Sequence, residues 1–150
     1  MHITPAVVAA LEQRWGVPAQ VELAFPMHEE EWRLVARTAA RGRIHDVTMF
    51  TLHRGSVAVI RKPSYAQSIW RAPSGGVAPG ETVEAGAVRE CWEETGLRTE
   101  VQRYLLRVTV VFSRGVETMT WQSHVMQMRY LSGTPCPVDT HEVAEARWAT

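Results

Sequence analysis

The stretch GGVAPGETVEAGAVRECWEETGL, residues 75–97, carries the most informative pattern in this sequence. Pro79 and Gly80 mark a turn, Thr82 is a typical helix N-cap, and Gly96 is a typical helix end. Together these signals predict a helix of about thirteen residues.

The predicted helix has one acidic face. At ~100° per residue, the side chains of Glu90, Glu93 and Glu94 fall within one narrow arc, and Gly86 leaves room above them. The opposite side is predicted to pack against a sheet through Val88, Cys91 and Trp92.

Three carboxylates on one arc have two interpretations. Most acidic helix faces are simply solvated, and like charges at i,i+4 cost only ~0.2–0.5 kcal/mol, so the cluster is tolerable without any function. The alternative is a metal site. Ligands that offer only oxygen suit a hard ion such as Mg²⁺ or Mn²⁺ and do not suit zinc.

Composition limits the class of protein. The chain has 150 residues with 45% apolar content, which is typical of a single globular domain, and its 16 basic residues balance its 16 acidic residues. No basic field draws the chain to nucleic acid or to a membrane, and no apolar run of ~18 residues spans a bilayer. We therefore expect a cytoplasmic protein, with Cys91 and Cys136 as plain thiols.

The order of elements has two parts. Residues 1–43 read as a small helical arm or cap, with a helix over 5–15, a strand over 20–25 and a second helix beginning near residue 28. From Ile44 the pattern changes to a short strand hairpin, the loop and helix described above, a long hairpin with a turn at 113–115, and a final strand.

The spacing of the fixed residues resembles the Nudix box, the signature of the Nudix hydrolase family. Every fixed position of the signature is matched, and only Cys91 stands where the family usually has a larger aliphatic residue. The matching residues are Gly75, Glu81, Arg89, Glu90, Glu93, Glu94, Gly96 and Leu97.

The resemblance implies an α+β fold, a mixed β-sheet sandwiched between α-helices, over residues 44–150. The helical arm would then be an N-terminal extension. The helix that usually closes the family's fold has no counterpart before Thr150. Either the chain is truncated, or the arm covers the exposed face or makes a homodimer contact.

The resemblance also implies a reaction, the metal-dependent hydrolysis of a diphosphate linkage in a nucleoside diphosphate derivative by attack of water on phosphorus. The cofactor would be Mg²⁺, with Mn²⁺ able to substitute. Arg89 would brace the preceding loop by pairing with Glu81. The metal ligands carried over are the Ser74 carbonyl, Glu90, Glu93 and Glu94, with Glu90 sometimes also assigned as the base.

The general base in this family often lies outside the box. Glu142, in the loop before the last strand, is the preferred candidate here, with Glu145 and His141 as alternatives. For the substrate, the outer phosphate is predicted to meet basic side chains and the nucleobase to stack on an aromatic ring. The candidates are Arg61, Lys62 and Arg71 for the phosphate, and Tyr65, Trp70 and Trp121 for the base.

Two other functions compete with hydrolysis. A binding module that senses a nucleotide metabolite would commonly lose box glutamates, and none is lost here. An isomerase acting on an allylic diphosphate would need a reactive cysteine at the site, whereas Cys91 points to the core. His45 and Asp46 form an adjacent polar pair, but no nucleophilic triad is visible.

Overall fold

A computed structural model describes residues 3–150. Its elements, in chain order, alternate between two helix-containing segments and two strand hairpins. They are α1 (Pro5–Trp15), β1 (Ala19–Pro26), α2 (Glu29–Ala40), β2 (His45–His53), β3 (Ser56–Arg61), β4 (Ser74–Gly76), α3 (Val83–Thr95), β5 (Arg98–Arg114), β6 (Glu117–Ser132) and β7 (Glu145–Ala149).

The strands form one mixed sheet in the order β1-β5-β6-β2-β3-β7, and the short β4 pairs with β2. The two predicted hairpins, β2–β3 and β5–β6, are antiparallel. The pairs β1–β5 and β2–β6 are parallel. This mixed sheet with flanking helices confirms the predicted fold class.

Helix α3 has the limits that the sequence predicts. The Thr82 hydroxyl accepts a hydrogen bond from the backbone N–H of Ala85, and Gly96 ends the helix with φ of 71°, in the left-handed region that favours glycine.

The predicted rotation of α3 is wrong. Val88 is 37% exposed and Trp92 is 42% exposed, and of the three side chains predicted to pack on the sheet only Cys91 is buried. The helix turns a different stripe inward, and that stripe includes two of the carboxylates. Its buried residues are Val83, Gly86, Ala87, Glu90, Cys91, Glu94 and Thr95.

The N-terminal segment shares the sheet and the core with the rest of the chain. Pro5 follows the Thr4 cap of α1, and Val8 and Leu11 on this helix are buried in the main core cluster. β1 then runs parallel to β5 and pairs Ala19 with Leu106. A domain boundary near residue 43 therefore stays a prediction.

Between residues 3 and 150, no helix is long and apolar enough to cross a bilayer.

Candidate active site

A cavity of about 390 Å³ lies where the N-terminal end of β2, β4, the inward face of α3 and the loop before β7 meet. Its volume falls within the ~300–1,000 Å³ range of small-molecule sites in proteins. The side chains around it are mostly charged. They are Thr38, Arg43, Asp46, Ser74, Gly75, Gly76, Arg89, Glu90, Glu93, Glu94, Trp121, Asp139 and Glu142.

Gly75 allows the backbone of β4 to lie directly against the Glu90 carboxyl group. A Cβ atom built on Gly75 would stand 1.9 Å from Cδ of Glu90, far inside van der Waals contact. The glycine is therefore required by close approach, and it brings the main chain of residues 74–76 to the acidic face of α3.

Arg89 on α3 holds together the loop after β4 and two of the acidic side chains of the cavity. Its guanidinium holds Glu81 with two hydrogen bonds, from Nε at 2.8 Å and from Nη2 at 2.9 Å, and Nη2 also donates to the Gly76 carbonyl at 3.0 Å. The same side chain reaches Glu90 at 2.8 Å and Glu93 at 3.2 Å. These hydrogen bonds lower the pKa of Glu81. Arg89 thus pairs with Glu81 and shares its one positive charge with two of the three acids, Glu90 and Glu93.

Glu94 is the most buried of the three acids, with a side chain only 2% exposed. One carboxylate oxygen accepts a hydrogen bond from the backbone N–H of Ser74 at 2.8 Å, and the other accepts one from Lys62 at 3.0 Å. Burial raises the pKa of Glu94, and these two partners offset part of that rise. Burial likewise raises the pKa of Glu90, although Arg89 opposes it.

Glu142 borders the cavity, whereas its rival Glu145 does not. Lys62 bridges Glu142 to Glu94, with its ammonium nitrogen 3.3 Å from a Glu142 oxygen. Asp139 fixes the loop by accepting hydrogen bonds from the backbone N–H groups of His141 and Glu142. Glu145 pairs with Arg61 at 2.5 Å on β3.

The aromatic ring of Trp121, on β6, forms part of the cavity wall. The indole N–H of Trp121 donates to Asp46 at 3.0 Å, and the ring also makes an edge contact with Phe112. Burial raises the pKa of Asp46, while nearby Ser123 and Trp121 and the charge of Arg71 oppose the rise. Trp121 binds Oδ2 of Asp46, and Oδ1 is buried with no hydrogen-bond partner among the described residues.

Four of the predicted substrate residues lie outside this cavity. Arg61 is occupied by Glu145, and the Arg71 side chain donates to the Ala72 carbonyl. Tyr65 does not line the cavity, and Trp70 lies under the Arg147 guanidinium at 3.9 Å. Of the predicted set only Trp121 lines the cavity. Lys62 reaches it through its hydrogen bond to Glu94, and Arg71 acts on Asp46 and Glu94 through its charge alone.

Several cavity residues carry no recognisable signal in the sequence. Thr38 and Arg43 belong to the segment predicted as a separate arm, and Asp46 and Asp139 have no motif around them. Arg43 has no carboxylate within ion-pairing distance among the described residues, and its Nε is buried without a hydrogen-bond partner. The polar pair at His45 and Asp46 was the single signal available.

The donor set fits a hard divalent cation by its oxygen chemistry. Glu90, Glu93 and Glu94 border one cavity, and the missing Cβ of Gly75 lets the main chain of β4 lie beside Glu90. As placed, no three His, Cys, Asp or Glu side chains within residues 3–150 are grouped to hold an ion. The acids face Arg89, Lys62 and the Ser74 N–H instead.

A family model covers most of the chain. The family model described as NUDIX domain matches residues 41–150. The chain therefore belongs to the Nudix family.

Two curated relatives share short segments with this chain. A putative mutator protein MutT4 of Mycobacterium tuberculosis is 38% identical over 80 residues, which are 53% of this chain and 32% of that protein. An NAD-capped RNA hydrolase NudC of Chromobacterium violaceum is 38% identical over 63 residues, 41% of this chain and 24% of that protein. The matched segments thus span a third or less of these relatives.

Solved structures share the fold. An ADP-ribose pyrophosphatase from Streptococcus suis superposes with a TM-score of 0.53 at 16% identity, covering 71% of this chain and 72% of that one. A UDP-X diphosphatase gives a TM-score of 0.54 at 20% identity, covering 81% of this chain and 59% of that one. At these identities the likeness concerns the fold alone.

Proposed function

We propose that this protein is a metal-dependent pyrophosphohydrolase that cleaves the diphosphate linkage of a nucleoside diphosphate derivative. The observation that carries the proposal is the convergence of Glu90, Glu93 and Glu94 with the Ser74–Gly76 strand in one cavity. A solvated acidic helix face has no reason to bury Glu94 or to press glycine against Glu90.

The three acids would hold Mg²⁺ or Mn²⁺ together with the Ser74 carbonyl. When bound, such ions neutralise the diphosphate and activate water. Arg89 does not face substrate in this proposal. It keeps Glu81 and the Gly76 carbonyl in place, so that β4 stays against α3.

Glu142 is assigned as the general base that accepts the proton of the attacking water. This carboxylate lies at the cavity edge with a side chain 65% exposed, so it can reach a water molecule and return the proton to solvent. The attacking oxygen forms the new bond to phosphorus as the bridging oxygen leaves. Arg43 supports anion binding, since its guanidinium lines the cavity without a carboxylate partner among residues 3–150.

The nucleoside end is assigned to the wall formed by Trp121 and Asp46. The hydrogen bond from the indole N–H fixes the ring plane, which favours stacking of a nucleobase. Relatives named as an NAD-capped RNA hydrolase and as an RNA pyrophosphohydrolase leave the group attached to the diphosphate open. We infer a small nucleoside diphosphate derivative, because the chain carries no net positive charge for a polynucleotide.

The test is a panel of nucleoside diphosphate derivatives with Mg²⁺, in which released phosphate is measured after phosphatase treatment. Glu94→Gln should lower kcat by at least about a hundredfold, since metal positioning supplies several kcal/mol and each ~1.4 kcal/mol is tenfold. Glu142→Gln should lower kcat as well. Glu145→Gln is the matched control and should retain activity, because Glu145 pairs with Arg61 outside the cavity.

Two results would contradict the proposal. Native turnover in Glu94→Gln at saturating Mg²⁺ would remove the acidic face of α3 from the site. Tight nucleotide binding by the native protein without any hydrolysis would instead indicate a binding module.

A further inference from the structure

Lys62 is the only lysine in this sequence, and the other fifteen basic residues are arginines. Lysine differs from arginine in carrying a compact point charge on a flexible stem, without the fork that locks onto a carboxylate. This one lysine contacts Glu94, which is a proposed metal ligand. An ammonium group at this position can change partners more readily than a guanidinium could.

The Lys62 ammonium is held between two acids of different burial. It lies 3.0 Å from Glu94, whose side chain is 2% exposed, and 3.3 Å from Glu142, whose side chain is 65% exposed. Burial alone would lower the pKa of Lys62, but Glu94 and Glu142 outweigh that effect and raise it. Lys62 therefore places a full positive charge against Glu94, which is one of the proposed metal ligands.

This contact conflicts with metal binding at Glu94. Mg–O distances are ~2.1 Å, so an ion on the Lys62-bound oxygen would lie within about 5 Å of the ammonium. The two charges of the ion and the single charge of the Lys62 ammonium would then repel each other beside the buried Glu94 carboxylate. The other Glu94 oxygen is already bonded to the Ser74 N–H.

We propose that Lys62 is a built-in counter-cation that occupies Glu94 in the metal-free protein and must release it when a divalent ion binds. The inference rests on the proposed metal-dependent function. Its physical basis is that a buried carboxylate without a partner is costly, so Glu94 keeps the lysine until an ion replaces it. Metal-free protein is thereby kept folded, and metal affinity is kept moderate until substrate phosphates add ligands.

The first test compares Mn²⁺ affinity by titration calorimetry at pH 8, without substrate, in native protein, Lys62→Met and Arg61→Met. Lys62→Met should bind Mn²⁺ at least about fivefold more tightly, because the competing cation is gone. Arg61→Met removes one positive charge from the neighbouring residue, which pairs with Glu145, and should bind like native protein. Adding Glu94→Gln to Lys62→Met should abolish the gain.

The second test leaves the chain unchanged, so it holds even if Lys62→Met folds poorly. Protein made with [¹³Cε]lysine gives one side-chain signal for the whole sequence. Titration with Mg²⁺ should move this signal, with the same midpoint as metal binding, towards its position in metal-free Glu94→Gln protein.

The outcomes separate this inference from the function beneath it. Equal or weaker Mn²⁺ binding by Lys62→Met, or a lysine signal that stays fixed while Mg²⁺ binds, would overturn the counter-cation role and leave the hydrolase proposal intact. No binding of either ion by native protein or by Lys62→Met, together with no hydrolysis, would overturn both.

Discussion

At the scale of single residues, the close approach at position 75 gives the sharpest prediction. In Gly75→Ala the new Cβ meets the Glu90 carboxyl group, which must move away from the cavity. We expect a large loss of kcat and of Mn²⁺ affinity with only a modest drop in Tm, because the displaced group is a side-chain end. Steady-state kinetics, calorimetry and thermal melts would measure the three quantities.

The neighbouring glycine is the control for this substitution. A Cβ on Gly76 would first meet the Arg43 guanidinium at 3.2 Å, and a flexible side-chain end can shift by a few tenths of an ångström. Gly76→Ala should therefore retain most of the Mn²⁺ affinity. Equal losses in both variants would show that the strand as a whole, and not the Glu90 contact, sets the site.

The sequence predicted those site residues whose spacing lies within one helix. Glu90, Glu93 and Glu94 follow from the helical period, and Arg89 with Glu81 follows from the Nudix box. The roles of Lys62 and Asp46 depend on which strands pair and on where loops return. Such contacts join residues far apart in the chain, and local patterns do not record them.

At the scale of elements, a buried histidine pair joins β2 to β6. His124 Nε2 lies 3.0 Å from His45 Nδ1, and its Nδ1 lies 2.6 Å from the Tyr104 hydroxyl. Burial first, and then the charges of His45 and Arg107, lower the pKa of His124 from 6.5 to about 3. His124 is therefore neutral in the folded protein throughout the physiological range.

This pKa shift predicts acid sensitivity. The unfolded chain binds a proton at His124 below pH 6.5, whereas the folded chain does so only near pH 3. The contribution of His124 to the free energy of unfolding is therefore full above pH 6.5 and is lost as the pH falls. Between pH 7 and pH 5 the loss is about 2 kcal/mol. Urea unfolding at several pH values should show a shallower pH dependence for His124→Gln, and parallel profiles would contradict the shift.

Helix α1 gives a prediction about the N-terminal segment. Leu11 is 2% exposed in the main core, so Leu11→Ala should lower the free energy of unfolding by about 2–5 kcal/mol. Leu34 on α2 is 61% exposed, and Leu34→Ala should change it by less than about 0.5 kcal/mol. Denaturant unfolding measures both. No effect at Leu11 would mean that α1 is a detachable cap.

The limits of an element were easier to predict than its rotation. Thr82 and Gly96 predict the beginning and the end of α3, and the helix has these two residues as its N-cap and C-cap. Its rotation was mispredicted because hydrophobicity alone placed Val88 and Trp92 inside, although both are exposed. Burial of Glu90 and Glu94 requires the partners Arg89 and Lys62, and only the folded chain supplies the lysine.

At the scale of the whole molecule, β1 is one of the two edge strands of the sheet, with β7 at the other edge. Val21, Leu23 and Phe25 alternate along it and are 39%, 51% and 53% exposed. Exposed edges with apolar side chains favour association. We predict a homodimer through β1, which Leu23→Lys should shift to monomer in sedimentation equilibrium. Leu131→Lys should not, because Leu131 is 52% exposed at the opposite end of the β5–β6 hairpin from the residues that pair with β1.

The sequence could not assign this edge to the sheet. The alternating pattern of residues 20–25 predicted a strand, but no local signal names its partner. The first forty residues therefore read as an arm, although the structure places their strand beside β5. Strand existence is local information, whereas strand order is set by packing across the whole chain.

The pairing of β1 with β5 also has a consequence for synthesis of the chain. The ribosome adds Ala19 long before Leu106, its partner in the sheet, and at ~5–20 residues per second the delay is about 4–17 s. During that interval Val21, Leu23 and Phe25 have no strand beside them. The nascent chain is therefore a candidate for holdase chaperones early in translation, and slowing translation between these two points should increase aggregation.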